Sequence, residues 1–202
     1  MNILYLSGMP LPIANFLDGK EKIEGFPAYF WPMYKLSKRG HAIDFILTSN
    51  RKNIPLVKKE WFSSTQIIHN LYLPYEEKKS KRRFRGIKRS FQVIRALNRS
   101  FKNKRYDFVY AHGPLAAYAQ IFCWLKKIPI GVRWYGDSAR CYPKIQKSGR
   151  FFTALRKPLI WFSFNLPYTF FLATDDNTNV DKLHQVWSRH RGKDNFFHWK
   201  TG

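Results

Sequence analysis

The sequence predicts an α/β fold: a Rossmann-like parallel sheet of about seven strands with helices on both faces. First, short apolar runs alternate with segments of helical periodicity along the chain. Second, the runs are continuously apolar, as is typical of parallel strands that are buried on both faces. Third, 202 residues are enough for one domain with a substantial core. We therefore expect residues 1–202 to form a single domain.

The first half of the chain shows three strands and two helices. Residues 2–7 are an apolar run that ends in Ser-Gly. A helix is predicted over 26–38 and ends at Gly40, a residue type that favours helix termination. Strands are predicted over 42–48 and 66–71. The second helix covers 84–101, and its steps of three and four predict a core-facing side made of Phe84, Ile87, Phe91, Ile94, Leu97 and Phe101.

The second half continues the same alternation. Strands are predicted over 106–111, 128–134, 169–174 and 195–199, and helices over 115–126 and 177–189. Between them, 151–166 forms a helical region that is rich in aromatic residues and interrupted by proline. In such a sheet, ligands bind at the carboxyl ends of the strands. This rule selects the loops after Ser7, at His112 and after Trp134.

Composition narrows the classes of partner. Hydrophobic residues make up 45% of the chain and aromatic residues 18%, which excludes a disordered protein. Lys and Arg number 36 against 13 Asp and Glu, so the net charge is +23. A positive surface of this size attracts phosphate-rich partners such as anionic lipid, nucleic acid or phosphorylated sugars.

Two cysteines, Cys123 and Cys141, provide neither a disulfide framework nor a zinc site, which fits a reducing interior. The N-terminus has no basic region of a signal peptide, and no apolar run reaches the ~20 residues that span a bilayer. We expect a cytoplasmic protein that can lie peripherally on the inner face of the membrane. No metal and no cofactor are predicted. A Gly-x-Gly-x-x-Gly sequence is absent after the first strand, which argues against a dehydrogenase.

Four segments, in order along the chain, resemble the N-terminal domain of family-4 glycosyltransferases. They are Ile23-Glu24-Gly25, the helix end Lys38-Arg39-Gly40-His41-Ala42-Ile43, the strand and loop at 106–117, and the strand and loop at 128–137. The resemblance continues through 170–183 to Trp199-Lys200-Thr201-Gly202, which is similar to the family's sequence before its second domain. It covers the whole chain.

The resemblance implies the GT-B architecture, in which two Rossmann-like domains face each other across a cleft. It implies that residues 1–202 are the acceptor-side domain of a hexosyltransferase of the retaining type. The donor, a nucleotide-sugar, is a substrate bound by a C-terminal domain that these residues lack. That domain is expected in the parent chain or in a separate subunit. We therefore expect no turnover from the 202 residues alone. The acceptor is expected to be lipid-linked or a polysaccharide, in a bacterial pathway of cell-surface synthesis.

Candidate catalytic residues follow the strands. His112 ends one strand before Gly-Pro, and its imidazole ordinarily titrates near neutral pH. Tyr135 replaces the histidine that the family often carries after its fifth strand, and its high pKa makes it a poor base. Arg133 could bind a phosphate and Asp137 could accept from sugar hydroxyls. A local ion pair between Arg133 and Asp137 is the alternative interpretation.

Further substrate contacts are predicted in the long loop between the first strand and the first helix. Gly8 and Gly25 bracket this loop, and Asn15 is a candidate polar contact within it, together with Asp18. The family's paired glycines are reduced here to Glu24-Gly25.

The most basic segment runs from Lys78 to Arg105 and contains thirteen Lys or Arg and no acid. We predict a helix whose cations face an anionic membrane. The membrane-facing residues are predicted to be Arg82, Arg83, Arg85, Lys88, Arg89, Arg95 and Arg99. A nucleic-acid patch is a less favoured alternative, and a solvated basic face is another. Trp161, Phe162 and Phe164 are expected either to anchor at the membrane interface or to pack in the core.

These observations leave three functions open. The first is the glycosyltransferase domain described above. The second is a non-catalytic basic Rossmann-like module that binds anionic membrane or nucleic acid. The third is a nucleotide-binding enzyme of another class, because fold alone does not fix function.

Overall fold

The computed structural model describes residues 1–7, 27–49, 68–72, 82–134, 149–175, 180–189 and 195–200. These residues contain seven strands and six α-helices. The chain divides into two compact units, Met1–Phe108 and Val109–Gly202, and strand β4 begins at their boundary. The single-domain prediction stays a prediction.

The first unit contains three strands and two helices. In chain order they are β1 (Asn2–Ser7), α1 (Pro27–Lys38), β2 (Ala42–Ser49), β3 (Ile68–Tyr72) and α2 (Arg82–Asn103). The strands are parallel in the order β3-β2-β1. Helix α1 ends just before Gly40, as predicted. The positive φ of Gly40, 82°, suits a residue without a side chain.

The first unit contains a buried polar cluster, formed by Asp44, Tyr106 and Lys104, which we call the Asp44 cluster. The Asp44 carboxylate lies on β2, fully buried, and accepts a hydrogen bond from the Tyr106 hydroxyl at 2.8 Å. The Lys104 ammonium forms an ion pair with the same carboxylate oxygen at 3.0 Å. Burial, together with the neighbouring carboxylate, raises the pKa of Tyr106, so the phenol remains a donor. The cluster satisfies a charge within a strand that is otherwise apolar.

Helix α2 corrects the predicted core-facing side. Its buried residues are Val93, Ala96, Leu97, Ser100 and Phe101. Ile87, Phe91 and Ile94 are exposed instead, Phe91 by 69%. The helix therefore carries two apolar rows, one against the unit's core and one facing outward. Of the predicted core-facing residues whose side chains the structure describes, only Leu97 and Phe101 are buried.

The second unit contains four strands and four α-helices. They are β4 (Phe108–His112), α3 (Ala116–Lys126), β5 (Ile130–Trp134), α4 (Arg150–Arg156), α5 (Pro158–Asn165), β6 (Phe170–Asp175), α6 (Val180–Trp187) and β7 (Phe196–Lys200). A 3₁₀ turn at Gly113–Leu115 joins β4 to α3. The strands are parallel in the order β4-β5-β6-β7.

An aromatic cluster around Phe164 forms much of the second unit's core. The Phe164 ring centroid lies 5.0 Å from that of Phe171, 5.6 Å from Trp134 and 6.4 Å from Trp187. Distances in this range favour tilted and edge-on aromatic pairs. Of the two interpretations for Phe164, core packing is confirmed, because this side chain is fully buried.

Gly131 lies where two aromatic rings cross β5. It is opposite Tyr110 on β4 and Phe170 on β6, whose ring centroids lie 6.1 Å apart. A Cβ atom at position 131 would overlap the Phe170 ring. Only glycine allows the two rings to approach over this strand.

The proline-interrupted region divides into two helices, α4 and α5. The break lies at Lys157, and Pro158 begins α5, where its missing N–H is tolerated. On α3, the Gln120 amide donates to the carbonyl oxygens of Ser163, Leu166 and Pro167 at 3.1, 3.2 and 3.5 Å. This side chain fixes the end of α5 against α3.

The predicted α/β class with parallel strands is confirmed, and the described strands number seven. Most predicted boundaries lie within about two residues of those observed, as is usual at frayed ends. Among the described residues, no helix is both long enough and apolar enough to cross a membrane.

Candidate functional site

Two candidate residues meet across neighbouring strands of the second unit. His112 is the last residue of β4, and it is paired in register with Arg133 on β5. Both side chains are buried, with 0% and 3% of their surface exposed. Because paired residues on parallel strands point to the same face of a sheet, the imidazole and the guanidinium are neighbours. The structure therefore brings His112 and Arg133 together.

Strands β4 and β6 contribute further polar groups around Arg133. The Arg133 Nε–H donates to the Thr174 hydroxyl on β6 at 3.1 Å. Tyr110 lies two residues before His112 on β4, and alternation along the strand places both on one face. Burial raises the pKa of Tyr110, and the charge of Arg133 and a hydrogen bond with it oppose that rise. We call His112, Arg133, Tyr110 and Thr174 the Arg133 cluster.

The protonation of His112 differs from the sequence-based expectation. Burial lowers its pKa to about 3, and the positive charge of Arg133 acts in the same direction. The expectation that His112 titrates near neutral pH is therefore wrong: the imidazole is neutral at pH 7. A neutral imidazole has one N–H donor and one acceptor nitrogen, so it can orient a hydroxyl group.

The Arg133 cluster has the chemistry of an oxygen-binding site. A guanidinium is a planar fork of five N–H donors that matches a phosphate or a carboxylate. The hydroxyls of Tyr110 and Thr174 and the neutral His112 ring can both donate and accept. The cluster lies toward the carboxyl ends of β4, β5 and β6, the edge where parallel sheets bind ligands. These are the kinds of group that bind phosphate and sugar oxygens in proteins.

Several predicted site residues lie outside the described residues. These are Gly8, Asn15, Asp18, Gly25, Tyr135 and Asp137. The proposed Arg133–Asp137 ion pair lies partly there as well. Within the part of the chain that the structure describes, no group of three or more His, Cys, Asp or Glu side chains could hold a metal ion.

Tyr110 and Thr174 were missed by the sequence analysis. Tyr110 could have been predicted from the sequence, because side chains alternate along a strand and Tyr110, two residues before His112, lies on the same face. Thr174 could have been found as the polar residue near the end of the next strand along the chain. Its place beside Arg133 follows only once β6 is known to pair with β5.

The structure describes some of the side chains of the predicted membrane face on α2. The helix includes Arg82, Arg83 and Arg85, whose side chains lie outside the described set. Lys88, Arg95 and Arg99 are exposed, as a cationic face requires. Arg89 is half-buried with its Nε shielded from solvent, so it lies toward the core side.

Comparison with known proteins identifies the fold. No protein-family model matches the chain, and no curated protein matches it in sequence. Among solved structures, Arabidopsis thaliana UGT89C1 complexed with UDP superimposes with a TM-score of 0.52 at 12% identity, over 100% of this chain and 48% of that one. The UDP-GlcNAc 2-epimerase of Neisseria meningitidis, bound to UDP-GlcNAc, gives 0.50 at 13% identity, over 98% and 45%.

This chain thus spans about half the length of the solved chains that it matches. At these identities the likeness establishes the fold alone, a Rossmann-like α/β arrangement with parallel strands.

Proposed function

We propose that this chain is the acceptor-side half of a glycosyltransferase that uses a nucleotide-sugar donor. The observation that carries the proposal is the Arg133 cluster, a buried cation among neutral donors and acceptors at the ligand-binding edge of the strands. Its fold is shared with proteins whose structures contain UDP or a UDP-sugar. The acceptor is proposed to be lipid-linked or a polysaccharide.

Each member of the Arg133 cluster has a role in this proposal. Arg133 binds an anionic group, either a phosphate of the donor or an acidic group of the acceptor. His112 orients a sugar hydroxyl as a neutral imidazole and does not act as a general acid, because its pKa is too low. Tyr135 and Asp137, which follow β5 in the sequence, are proposed as further contacts. Gly8, Asn15 and Gly25, which lie between β1 and α1 in the sequence, stay predicted substrate contacts.

The reaction does not require a base from this chain. We propose transfer with retention. The bond between the anomeric carbon of the sugar and the donor phosphate breaks, the acceptor oxygen bonds to that carbon on the same face, and the departing nucleotide phosphate takes the proton of the acceptor hydroxyl. The donor is then held by a second domain, in the parent chain or in a separate subunit. The 202 residues alone are expected to bind ligand without turnover.

Binding of a sugar phosphate tests the role of Arg133. The chain is titrated by NMR with a hexose 1-phosphate and with the free hexose, and the phosphorylated sugar is expected to bind more tightly. Arg133→Lys keeps the charge but loses the fork, and should weaken phosphate-dependent binding about tenfold. Arg99→Lys, on the exposed side of α2, is the matched control and should have no effect.

Two results would contradict the proposal. One is equal affinity for the hexose and its phosphate. The other is equal loss in Arg133→Lys and Arg99→Lys. Sugar transfer is followed in parallel with UDP-, GDP- and dTDP-sugars and a lipid extract. Turnover by the 202 residues alone would refute the role of a second domain.

A specific observation favours membrane binding as a second property. On α2, Ile87, Phe91 and Ile94 form an exposed apolar row at helical spacing, with Lys88, Arg95 and Arg99 in the adjacent row. An exposed apolar row beside cations suits an anionic bilayer surface better than nucleic acid, which needs only the charge. This surface also fits the alternative of a non-catalytic membrane-binding module.

Vesicle flotation tests the membrane surface on α2. Phosphatidylglycerol vesicles should bind the chain and phosphatidylcholine vesicles should not. Arg95→Gln with Arg99→Gln should remove the preference for anionic lipid, and Phe91→Ser should weaken binding to both vesicle types. Equal flotation on the two lipids would refute the electrostatic part, and tight, salt-sensitive RNA binding would favour the nucleic-acid interpretation.

A further inference from the structure

Helices α4 and α5 form a second exposed apolar surface, in the second unit. The two helices meet at Lys157, and between them lies an open groove with a volume of about 450 Å³. The lining is made of Phe151, Ala154, Leu155, Pro158, Trp161 and Phe162. None of these six side chains carries a charge, and the only polar atom among them is the Trp161 indole nitrogen.

Helix α5, which forms part of the groove, is held in place by packing and hydrogen bonds on its other side. The opposite side of α5 is packed, because Ser163, Phe164 and Asn165 are buried. Gln120 holds the C-terminal end of α5 from one element, and the Ser188 hydroxyl donates to the Phe164 carbonyl oxygen at 3.0 Å from another. The outward face of the helix pair is therefore set by internal hydrogen bonds.

Large apolar side chains of the groove are exposed to water. Leu155 is 63% exposed and Phe151 70% exposed, on one side of the groove. A surface that leaves several large apolar side chains in contact with water costs free energy unless a partner covers them. A groove of this volume is in the range that binds small apolar ligands.

The charge around the groove selects the partner. Arg156 and Lys157 are exposed at the junction of the two helices. The chain contains no Asp or Glu between Asp137 and Asp175. An apolar groove flanked by the exposed cations Arg156 and Lys157 complements a molecule that has a hydrocarbon part and an anionic head.

We infer that the α4–α5 groove binds a hydrocarbon chain of an anionic lipid at a bilayer surface. Arg156 and Lys157 lie at the level of the lipid phosphates, and Trp161 lies at the boundary between the head groups and the acyl chains. This site is built by different residues from the exposed row of α2. It does not depend on the proposed sugar transfer, because none of the residues that line the groove belongs to the Arg133 cluster.

Partition to phosphatidylglycerol vesicles tests the site with a matched pair of variants. Leu155→Glu places a carboxylate in the groove and should weaken partition at least tenfold. Leu125→Glu is the control, since Leu125 is similarly exposed, at 68%, on α3 and is not one of the residues that line the groove. It should change partition less than threefold. Because both residues are exposed, both variants should keep the wild-type circular dichroism and melting temperature.

A second measurement locates the hydrocarbon. Phosphatidylglycerol with brominated acyl chains should quench tryptophan fluorescence of the wild-type chain, and Trp161→Phe should lose a large part of that quenching. Equal loss of partition in Leu155→Glu and Leu125→Glu, or no loss in either, would overturn the inference. Unchanged quenching in Trp161→Phe would overturn it as well. Sugar-phosphate binding by Leu155→Glu should be that of the wild type, which separates this site from the Arg133 cluster.

Discussion

His112 on β4 and Arg133 on β5 lie directly opposite each other, a neutral imidazole beside a buried cation. Burial away from water disfavours the charged form of the imidazole, and the positive charge of Arg133 beside it adds to this effect. The guanidinium keeps its charge under all ordinary conditions, and the imidazole is the group that becomes neutral. The pair thus fixes both the position and the charge of a potential ligand contact.

Acid should destabilise the chain through His112. The folded pKa is about 3, below the ordinary 6.5, so the unfolded chain takes up a proton first as the pH falls. The contribution of His112 is fully present above pH 6.5 and is lost between pH 6.5 and 3. It amounts to a few kcal/mol at most over the whole interval.

Urea unfolding at pH 7, 5.5 and 4.5 measures this effect. The free energy of unfolding should fall more steeply in the wild type than in His112→Gln. His41→Gln removes a half-buried histidine of the other unit and serves as the control for loss of one imidazole. Identical pH slopes in the wild type and His112→Gln would show that His112 can be protonated without unfolding.

Adding a methyl group at Gly131 should be costly. Gly131→Ala forces the Phe170 ring to move, and overpacking of this kind costs about 1–3 kcal/mol. Thermal unfolding of Gly131→Ala, Phe170→Leu and the double variant forms a double-mutant cycle. The double variant should be more stable than the sum of the single losses predicts. Additive losses would mean that the methyl group and the ring do not meet.

Tyr106→Phe removes the hydroxyl that donates to the buried Asp44 carboxylate. The loss of this hydrogen bond should lower the free energy of unfolding by about 1–3 kcal/mol. Tyr34→Phe is the comparison, because Tyr34 is half-buried on α1 and the substitution keeps the ring that faces the Lys38 ammonium at 5.6 Å. It should change stability by less than half as much in urea titrations. An equal loss of stability in the two variants would show that the hydrogen bond from Tyr106 to Asp44 contributes no more than the hydroxyl of a half-buried tyrosine.

Gln120→Leu should loosen the end of α5. The substitution keeps the size of the side chain but leaves the carbonyl oxygens of Ser163, Leu166 and Pro167 without its amide donor. We expect a loss of about 1–3 kcal/mol, measured by thermal unfolding. Gln185→Leu changes an exposed glutamine on α6 in the same way and should be nearly neutral. A neutral Gln120→Leu would show that packing alone holds α5.

The strands were predictable because each is a short apolar run with a polar or glycine boundary. Helix α2 shows where periodicity fails. Its sequence contains two apolar rows, and the larger side chains at Ile87, Phe91 and Ile94 suggested the wrong one. The buried row includes the small residues Ala96 and Ser100, which fit close to strands but carry little hydrophobic signal.

The candidate site was predictable in part for the same kind of reason. His112 and Arg133 could be placed at strand ends from the alternation of elements alone. The burial of His112, and hence its low pKa, depends on the side chains of neighbouring strands, which no local pattern contains. For the aromatic residues of α5, the sequence left open whether they lie at a surface or in the core, and the structure buries Phe164 and exposes Phe162.

The crossing of Tyr110 and Phe170 over Gly131 has a consequence for evolution. Position 131 accepts a hydrogen atom and nothing larger as long as a ring occupies position 170. The two positions should therefore covary: a descendant of the same ancestor that carries alanine or serine at the first should carry a smaller side chain at the second.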